Sequence, residues 1–228
     1  MPAAPGSRSP PRRIPCRMKE IGLAAIPPPR ARKIRMEKPA PVDAPILDHL
    51  RNRWSPRAFD PAPIPRETLR SLFEAARWAP SSNNAQPWRY ILSETEDARA
   101  RASTVLTGRN TLWAPKAPVL VCVAAHTLFE DGKPNRHAWY DTGQATSLLI
   151  VQATSMGLFV HQMAGFDAVK ARAVFALPEN VEPIAMMALG RPGDAGSLPD
   201  PLRERESAPR SRRAQDQFVF SGAWGAPW

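Results

Sequence analysis

The residues of this chain best placed to do chemistry fall into two short polar clusters. Arg53, Ser55 and Arg57 occupy alternate positions of a segment held extended by Pro56 and its restriction on Ser55. Alternate residues of an extended chain share a face. Two guanidinium forks and a hydroxyl on one face can grip a phosphate. From Pro80 to Trp88 the chain crowds Ser81, Ser82, Asn83, Asn84 and Gln86 between prolines. These side chains offer both donors and acceptors, as the edge of a heteroaromatic ring requires. Taken singly, the first cluster also reads as a solvated charged segment. The second also reads as a helix-to-strand turn, where Ser, Asn and Pro are common.

The usual self-contained catalytic motifs are missing. There is no Walker A loop, no GxGxxG after a strand, no HExxH and no GxSxG. His49, His126, His137 and His161 form no pair with metal-ligand spacing, so no metal site is expected. Cys16 and Cys122 give neither a disulfide framework nor a metal cluster, which points to a reducing compartment, and Cys122 reads as a small buried apolar residue. What is left is a binding protein or an enzyme whose chemistry sits in a cofactor.

The elements that must position these clusters begin near Pro45. Ile46, Leu47 and Leu50 mark a short helix. Pro65 opens a second, with Leu69, Leu72, Phe73 and Ala76 as its apolar stripe. Strands are expected over 89–93, 119–125, 158–163 and 184–189, the second and last as buried apolar runs. Helices are expected over 94–110, 139–156 and from Asp167, as N-cap, through Leu177. Gly157 is a natural stop for the long helix. Gln217, Phe218, Val219 and Phe220 read as a terminal edge strand that docks on something.

The 228 residues suit one domain plus appendages, and no apolar run approaches the roughly 18 residues of a membrane span, so no membrane partner is expected. The net charge of +10 invites a nucleic-acid reading, but residues 1–40 alone account for +8 and residues 41–228 for +2. The nearly neutral body argues against nucleic acid as a partner. Residues 1–40 also hold 9 of the 27 prolines and are expected to be disordered. An organelle-targeting peptide, a basic arm for polyanions, or a true start at Met18 or Met36 would each account for that segment. The last is favoured, because Met36 sits just before the first periodic stretch.

Order and spacing make the two clusters specific together. Arg-x-Ser-x-Arg-x-Phe over 53–59 is followed by a helix ending Ala-x-x-Ala-Pro-Ser-Ser-x-Asn-x-Gln-Pro-Trp over 76–88. This resembles the N-terminal signature of the nitroreductase family. Ala164-Gly165-Phe166-Asp167, Ala188-Leu189-Gly190-Arg191-Pro192 and Arg210-Ser211-Arg212-Arg213 agree with it in order, so the resemblance spans about residues 45–225.

The resemblance implies an α+β fold with a central mixed sheet flanked by helices, in an intertwined homodimer with C-terminal strand exchange. One FMN-binding domain would occupy 41–228, with a dimer-wrapping extension from about 197. It also implies a cytoplasmic FMN-dependent oxidoreductase that uses NADPH or NADH to reduce a small-molecule electron acceptor. Arg53, Ser55 and Arg57 match positions that hold the flavin's ribityl phosphate and part of its ring, with Trp54 inside that motif. Asn84, with Gln86 close by, matches a position bonding the ring or ribityl chain. Pro80, Ser81 and Ser82 match the segment that reaches FMN from the partner subunit. Gln162, Met163, Ala164 and Gly165 match the strand end beside the pyrimidine side and N5. Arg210 and Arg212 match basic residues that close on the phosphate. Many members carry Glu where this chain has Ala164, so that carboxylate's role is lost, while the backbone amides of Ala164 and Gly165 could still serve N5. A flavin-binding or flavin-consuming relative without reductase activity is the alternative within the family, and a basic nucleic-acid-binding protein the alternative outside it.

Overall fold

The computed structural model describes residues 37–228. The centre of the molecule is a sheet of β1 (Trp88–Ser93), β2 (Val119–His126), β3 (Phe159–Met163) and β4 (Val181–Gly190), in the order β1-β2-β4-β3. With helices packed on both of its faces, it has the expected α+β architecture. Every pairing among these four strands is antiparallel, so the mixture of strand directions expected from the resemblance is not present among them. Burial patterning marks which runs are strands, but not their direction.

Successive strand residues point to opposite faces, and β2 is buried on both. Val119, Val121 and Val123 join one core with Val160, Met187 and Leu189. This face is covered by α2 (Arg66–Arg77) and α4 (Ala138–Ser155), with the short α1 (Asp48–Asn52) against α4. In α4 the pairs 141/142, 145/146, 149/150 and 153/154 are buried, the repeat of a helix with one face inward. Fully burying a leucine such as Leu72 or Leu149 contributes roughly 1.5–3 kcal/mol. Leu120, Cys122, Met186 and Ala188 face the other way, into a second core with Val105, Trp113, Ala171 and Leu202. Burial pushes the Cys122 thiol up to about 12, so it is an inert core group.

Several expectations on element boundaries change. The helix expected over 94–110 is α3 (Glu96–Ser103), capped by Thr95. It ends because Val105 and Leu106 turn into the core, Leu106 bridges Phe166, and Gly108 takes a left-handed φ of +56°. Asp167 caps α5 (Ala168–Val174), shorter than expected, through Lys170 N. Gly157 does terminate α4, with φ +71°. Within the isolated chain, residues 217–220, expected as a terminal strand, pair with no other strand. A 3-10 turn over Gln215–Gln217 leads into a local Phe220–Trp224 ring contact, and among the described residues no strand of this chain lies alongside.

An unexpected helix, α6 (Asp200–Ser207), lies in the extension and buries Leu202 and Glu206 against its own chain. Residues 37–40, expected to belong to a disordered tail, also pack on the body: Ala40 N donates to Arg51 O at 2.8 Å. The rest of the expected tail, with Cys16 and Met36, lies outside the described residues. Among the described residues no helix is long and apolar enough to cross a membrane, and no group of His, Cys, Asp and Glu could hold a metal ion.

Candidate functional site

Residues 53–59 leave α1 as an extended strap. The expected alternation is present: Trp54, Pro56 and Ala58 are buried, while Arg53, Ser55 and Arg57 are half-exposed on the other side. The strap is fastened from behind at successive points. His161 Nδ1 on β3 lies 2.9 Å from the Pro56 carbonyl. Gly193 N donates to Ala58 O at 2.8 Å and Asp60 N to Arg191 O at 2.9 Å, so the exit of β4 clips the strap's far end. Only glycine fits at 193, since a Cβ there would lie 2.6 Å from the Phe59 carbonyl carbon and oxygen. The Gly190-Arg191-Pro192 motif and the arginine motif, distant in sequence, are thus one local structure. The half-buried imidazole of His161 is pushed down to about 4, mainly by desolvation, with Arg57 adding to the shift.

The third fastening is Glu206. Its carboxylate accepts from Arg57 N at 2.8 and 3.0 Å and from Ala58 N at 3.1 Å, and pairs with the Arg57 guanidinium at 3.6 Å. The residue is 1% exposed. Sequence reasoning missed it. The only available signal was its position one helical turn after Leu202, within a run that otherwise looks like solvated charge.

In front of the strap lies a cleft of about 180 Å³ lined by Lys38, Arg53, Trp54, Ser55, Arg57, Arg205, Arg210 and Arg212. The structure therefore unites the arginine motif with Arg210 and Arg212 from the far end of the chain, and adds Lys38 and Arg205, which sequence reasoning did not select. Arg210 Nη1 donates to Lys38 O at 2.7 Å and Arg51 O at 2.8 Å, tying the C-terminal segment to the chain's first described turn. Lys38 Nζ donates to Glu206 O at 2.6 Å and lies 4.9 Å from the Trp54 ring centroid. Trp54 itself meets Phe159 edge-on and forms the floor. Desolvation and the neighbouring Arg210 and Arg212 lower the pKa of Arg53. Arg210 is lowered likewise, by desolvation and then Arg212. For Lys38, desolvation lowers the pKa, Glu206 opposes, and Arg210 and Arg57 add to the lowering. Cations that destabilise one another in this way form a site suited to an anion carrying more than one charge.

The remaining expected site residues do not line this cleft. Pro80, Asn84 and Gln86 are exposed or partly so, and Ser81 and Ser82 half-buried, in the loop between α2 and β1. The buried Asp141 of α4 accepts from Ser82 N at 3.0 Å, and Ser81 Oγ accepts from Gln86 N at 3.1 Å. Asn83, Asn84 and Gln86 all have left-handed φ, between 46° and 54°. At the end of β3, Gln162 and Ala164 are exposed, while the Met163 side chain belongs to the core, so Met163 can meet a ligand only through its backbone. Gly165 O accepts from Asn110 Nδ2 at 3.0 Å and from Thr107 N at 3.1 Å. A Cβ on Gly165 would approach Asn110 Nδ2 to 2.8 Å.

The family model described as "Nitroreductase family" matches residues 50–111 and 106–191. A solved structure described as "the oxidoreductase containing FMN" is 33% identical, covers 81% of this chain and 96% of its own, and superposes with a TM-score of 0.76. The "Uncharacterized 15.4 kDa protein in ask 5'region" of Mycolicibacterium smegmatis is 40% identical over 134 residues, 58% of this chain and 90% of the relative. A "Putative NADH dehydrogenase/NAD(P)H nitroreductase" of Xanthomonas oryzae pv. oryzae (strain PXO99A) is 29% identical over 178 residues, 69% of this chain and 91% of the relative. The arginine motif, the polar loop and the β4 exit through Arg191 lie within the matched residues, and Lys38, Glu206, Arg210 and Arg212 outside them. By motif order, by the matched residues and by the structural likeness over most of its length, this chain belongs to the nitroreductase family.

Proposed function

We propose that the chain is an FMN-dependent oxidoreductase that takes electrons from NADH or NADPH and passes them, in a ping-pong cycle, to electron-poor small molecules such as nitroaromatics, quinones or enones. The observation that carries this reading is the cationic cleft. Its guanidinium groups and the Ser55 hydroxyl suit the phosphate dianion of FMN, and such a guest would offset the desolvation of Arg53 and Arg210 and the pressure that Arg212 places on both. When bound, FMN supplies the two-electron carrier. The chain's own residues then bind and orient. Arg53, Arg57, Arg210 and Arg212 neutralise the phosphate, and Trp54 closes the floor of the cleft against water. Asn84 and Gln86 supply donors and acceptors for the ring's polar edge, and the backbone N–H groups of Ala164 and Gly165 serve its N5 side. No carboxylate stands at 164, so this position holds no proton for reduced products. Positioning carries most of the catalysis.

The proposed working form is a homodimer in which Pro80, Ser81 and Ser82 reach the flavin of the partner subunit. Apolar side chains support this. Ile46, Leu47 and Leu50 in and before α1, Trp139, Tyr140 and Leu148 of α4, and Phe218 and Trp224 near the C-terminus are all exposed on the isolated chain. Truncation after Leu198 should lower both the dimer fraction and the flavin content in sedimentation. A fully flavinated dimer of the truncated chain would contradict this arrangement. The activity is tested by the absorption spectrum of the purified, FMN-loaded protein before and after anaerobic NADPH or NADH. Bleaching followed by recovery on adding a quinone is expected. A yellow protein that neither nucleotide bleaches would instead make it a flavin-binding relative without reductase activity.

A further inference from the structure

A carboxylate buried beneath a cluster of cations lowers the very charge that attracts an anion, so its presence there calls for a reason other than attraction. Glu206 sits in α6, which is joined to the rest of the chain through the segment after β4, yet its side chain reaches the middle of the arginine motif. Its oxygens take both consecutive amides, Arg57 N and Ala58 N, at 2.8 to 3.1 Å. The same residue's backbone carbonyl takes Lys38 Nζ at 2.6 Å. Glu206 thus touches the strap through its amides, the Arg57 guanidinium through its charge, and the Lys38 ammonium through its main chain. Beyond the end of α6 the chain passes through Pro209 to Arg210, whose guanidinium binds the carbonyls of Lys38 and Arg51. A buried ion stripped of its partners is strongly unfavourable, so α6 docks in the register that satisfies this carboxylate.

We propose that Glu206 is the positioning residue of the phosphate cleft: its buried carboxylate fixes the spacing between the 53–57 strap and the 205–212 segment, so that anion affinity depends on a negative charge behind the cations. This rests on the flavin reading for the identity of the anion, but not for the geometry. A purely electrostatic role predicts the opposite sign. Glu206→Gln removes a negative charge from beneath the cleft, so by charge alone it should tighten anion binding. It also replaces the Oε2 acceptor with an amide donor facing Arg57 N and the Arg57 guanidinium, which by position should loosen it.

The test is titration of wild type, Glu206→Gln and Glu206→Asp with FMN, and with inorganic pyrophosphate in parallel. FMN affinity of Glu206→Gln is expected to fall by about tenfold or more, with pyrophosphate affinity falling alongside and Glu206→Asp recovering part of the loss. Equal or tighter binding by Glu206→Gln would overturn the proposal. A wild type that binds pyrophosphate but not FMN would sink the flavin reading alone, and the pyrophosphate ratio would still decide the role of Glu206. Should Glu206→Gln not fold, hydrogen exchange on the intact wild type decides. Coupling is reciprocal, so FMN or pyrophosphate should protect the amides of Arg57 and Ala58 and those of α6 together. Protection of the strap with α6 unchanged would overturn the proposal.

Discussion

The arginine motif at residues 53–59 and the polar loop at residues 80–86 are both short and proline-punctuated, yet the fold treats them oppositely. The motif is fastened from behind by His161, Glu206 and the β4 exit, and its polar side chains meet cations from both ends of the described chain in one cleft. The loop is held at its base by Asp141 and Ser81, carries left-handed non-glycine residues, and leaves Asn83 and Asn84 exposed. One chain therefore suffices to build the cationic cleft, whereas the loop presents its polar groups outward. The first region should respond to mutation through both affinity and stability, the second through affinity with little change in stability.

The greatest loss is expected from removing paired cations. Arg53→Ala with Arg210→Ala should cost about 3 to 5 kcal/mol of FMN binding, read by fluorescence titration. The flavin-free melting temperature should fall only modestly: the two Arg210 bonds to the Lys38 and Arg51 carbonyls are lost, but so are the desolvation of two buried cations and the pressure of Arg210 on Arg53. A large loss of apo stability would show that these arginines are structural instead.

Next comes the pH dependence of the strap's anchor. His161 is held at about 4, below its ordinary 6.5, so between these values the unfolded chain binds the proton that the folded chain refuses. Stability is fully present above about 6.5 and lost as pH falls towards 4, by at most about 3 kcal/mol from this group. Denaturant melts across this window should show that slope, and His161→Gln should flatten it. An unchanged slope in the variant would assign the effect to other groups.

Gly193→Ala should be somewhat milder, at about 2 kcal/mol, since the new methyl must push the Phe59 backbone aside. Flavin content should fall with it, because the strap moves. A variant with wild-type melting and flavin content would mean that the clip is slack. Mildest of all is the loop. Asn84→Gly keeps the left-handed φ of 54° without strain and should change stability by less than about 1 kcal/mol. Lower flavin affinity at unchanged stability would set the two regions further apart, and a large stability loss would erase the distinction between them.

How much can be read from sequence depends on how local each signal is. Arg53, Ser55 and Arg57 are legible because Pro56 fixes an extended chain and extension fixes the alternation. The stripe of α2 and the buried β2 are legible because a helical repeat or an unbroken apolar run arises from little besides one-sided or two-sided burial. Glu206 is hidden, since one acid in an Arg-Glu-Arg-Glu run looks like part of a solvated helix until the neighbour that buries it is known. Lys38 is lost in a segment whose proline and arginine content, taken as a whole, speaks for disorder. Sheet direction and the end of α3 depend on contacts distant in sequence, such as Leu106 with Phe166, which no local pattern reports.

Everything proposed for this site depends on the cleft between the strap and the C-terminal arginines recognising the phosphate of FMN. The decisive measurement is calorimetric titration of the flavin-free protein with FMN and with riboflavin, which has the same ring and ribityl chain but no phosphate. Tight FMN binding is expected, with riboflavin weaker by about a hundredfold or more. Equal affinity for the two, or binding of neither, would contradict phosphate recognition by this cleft.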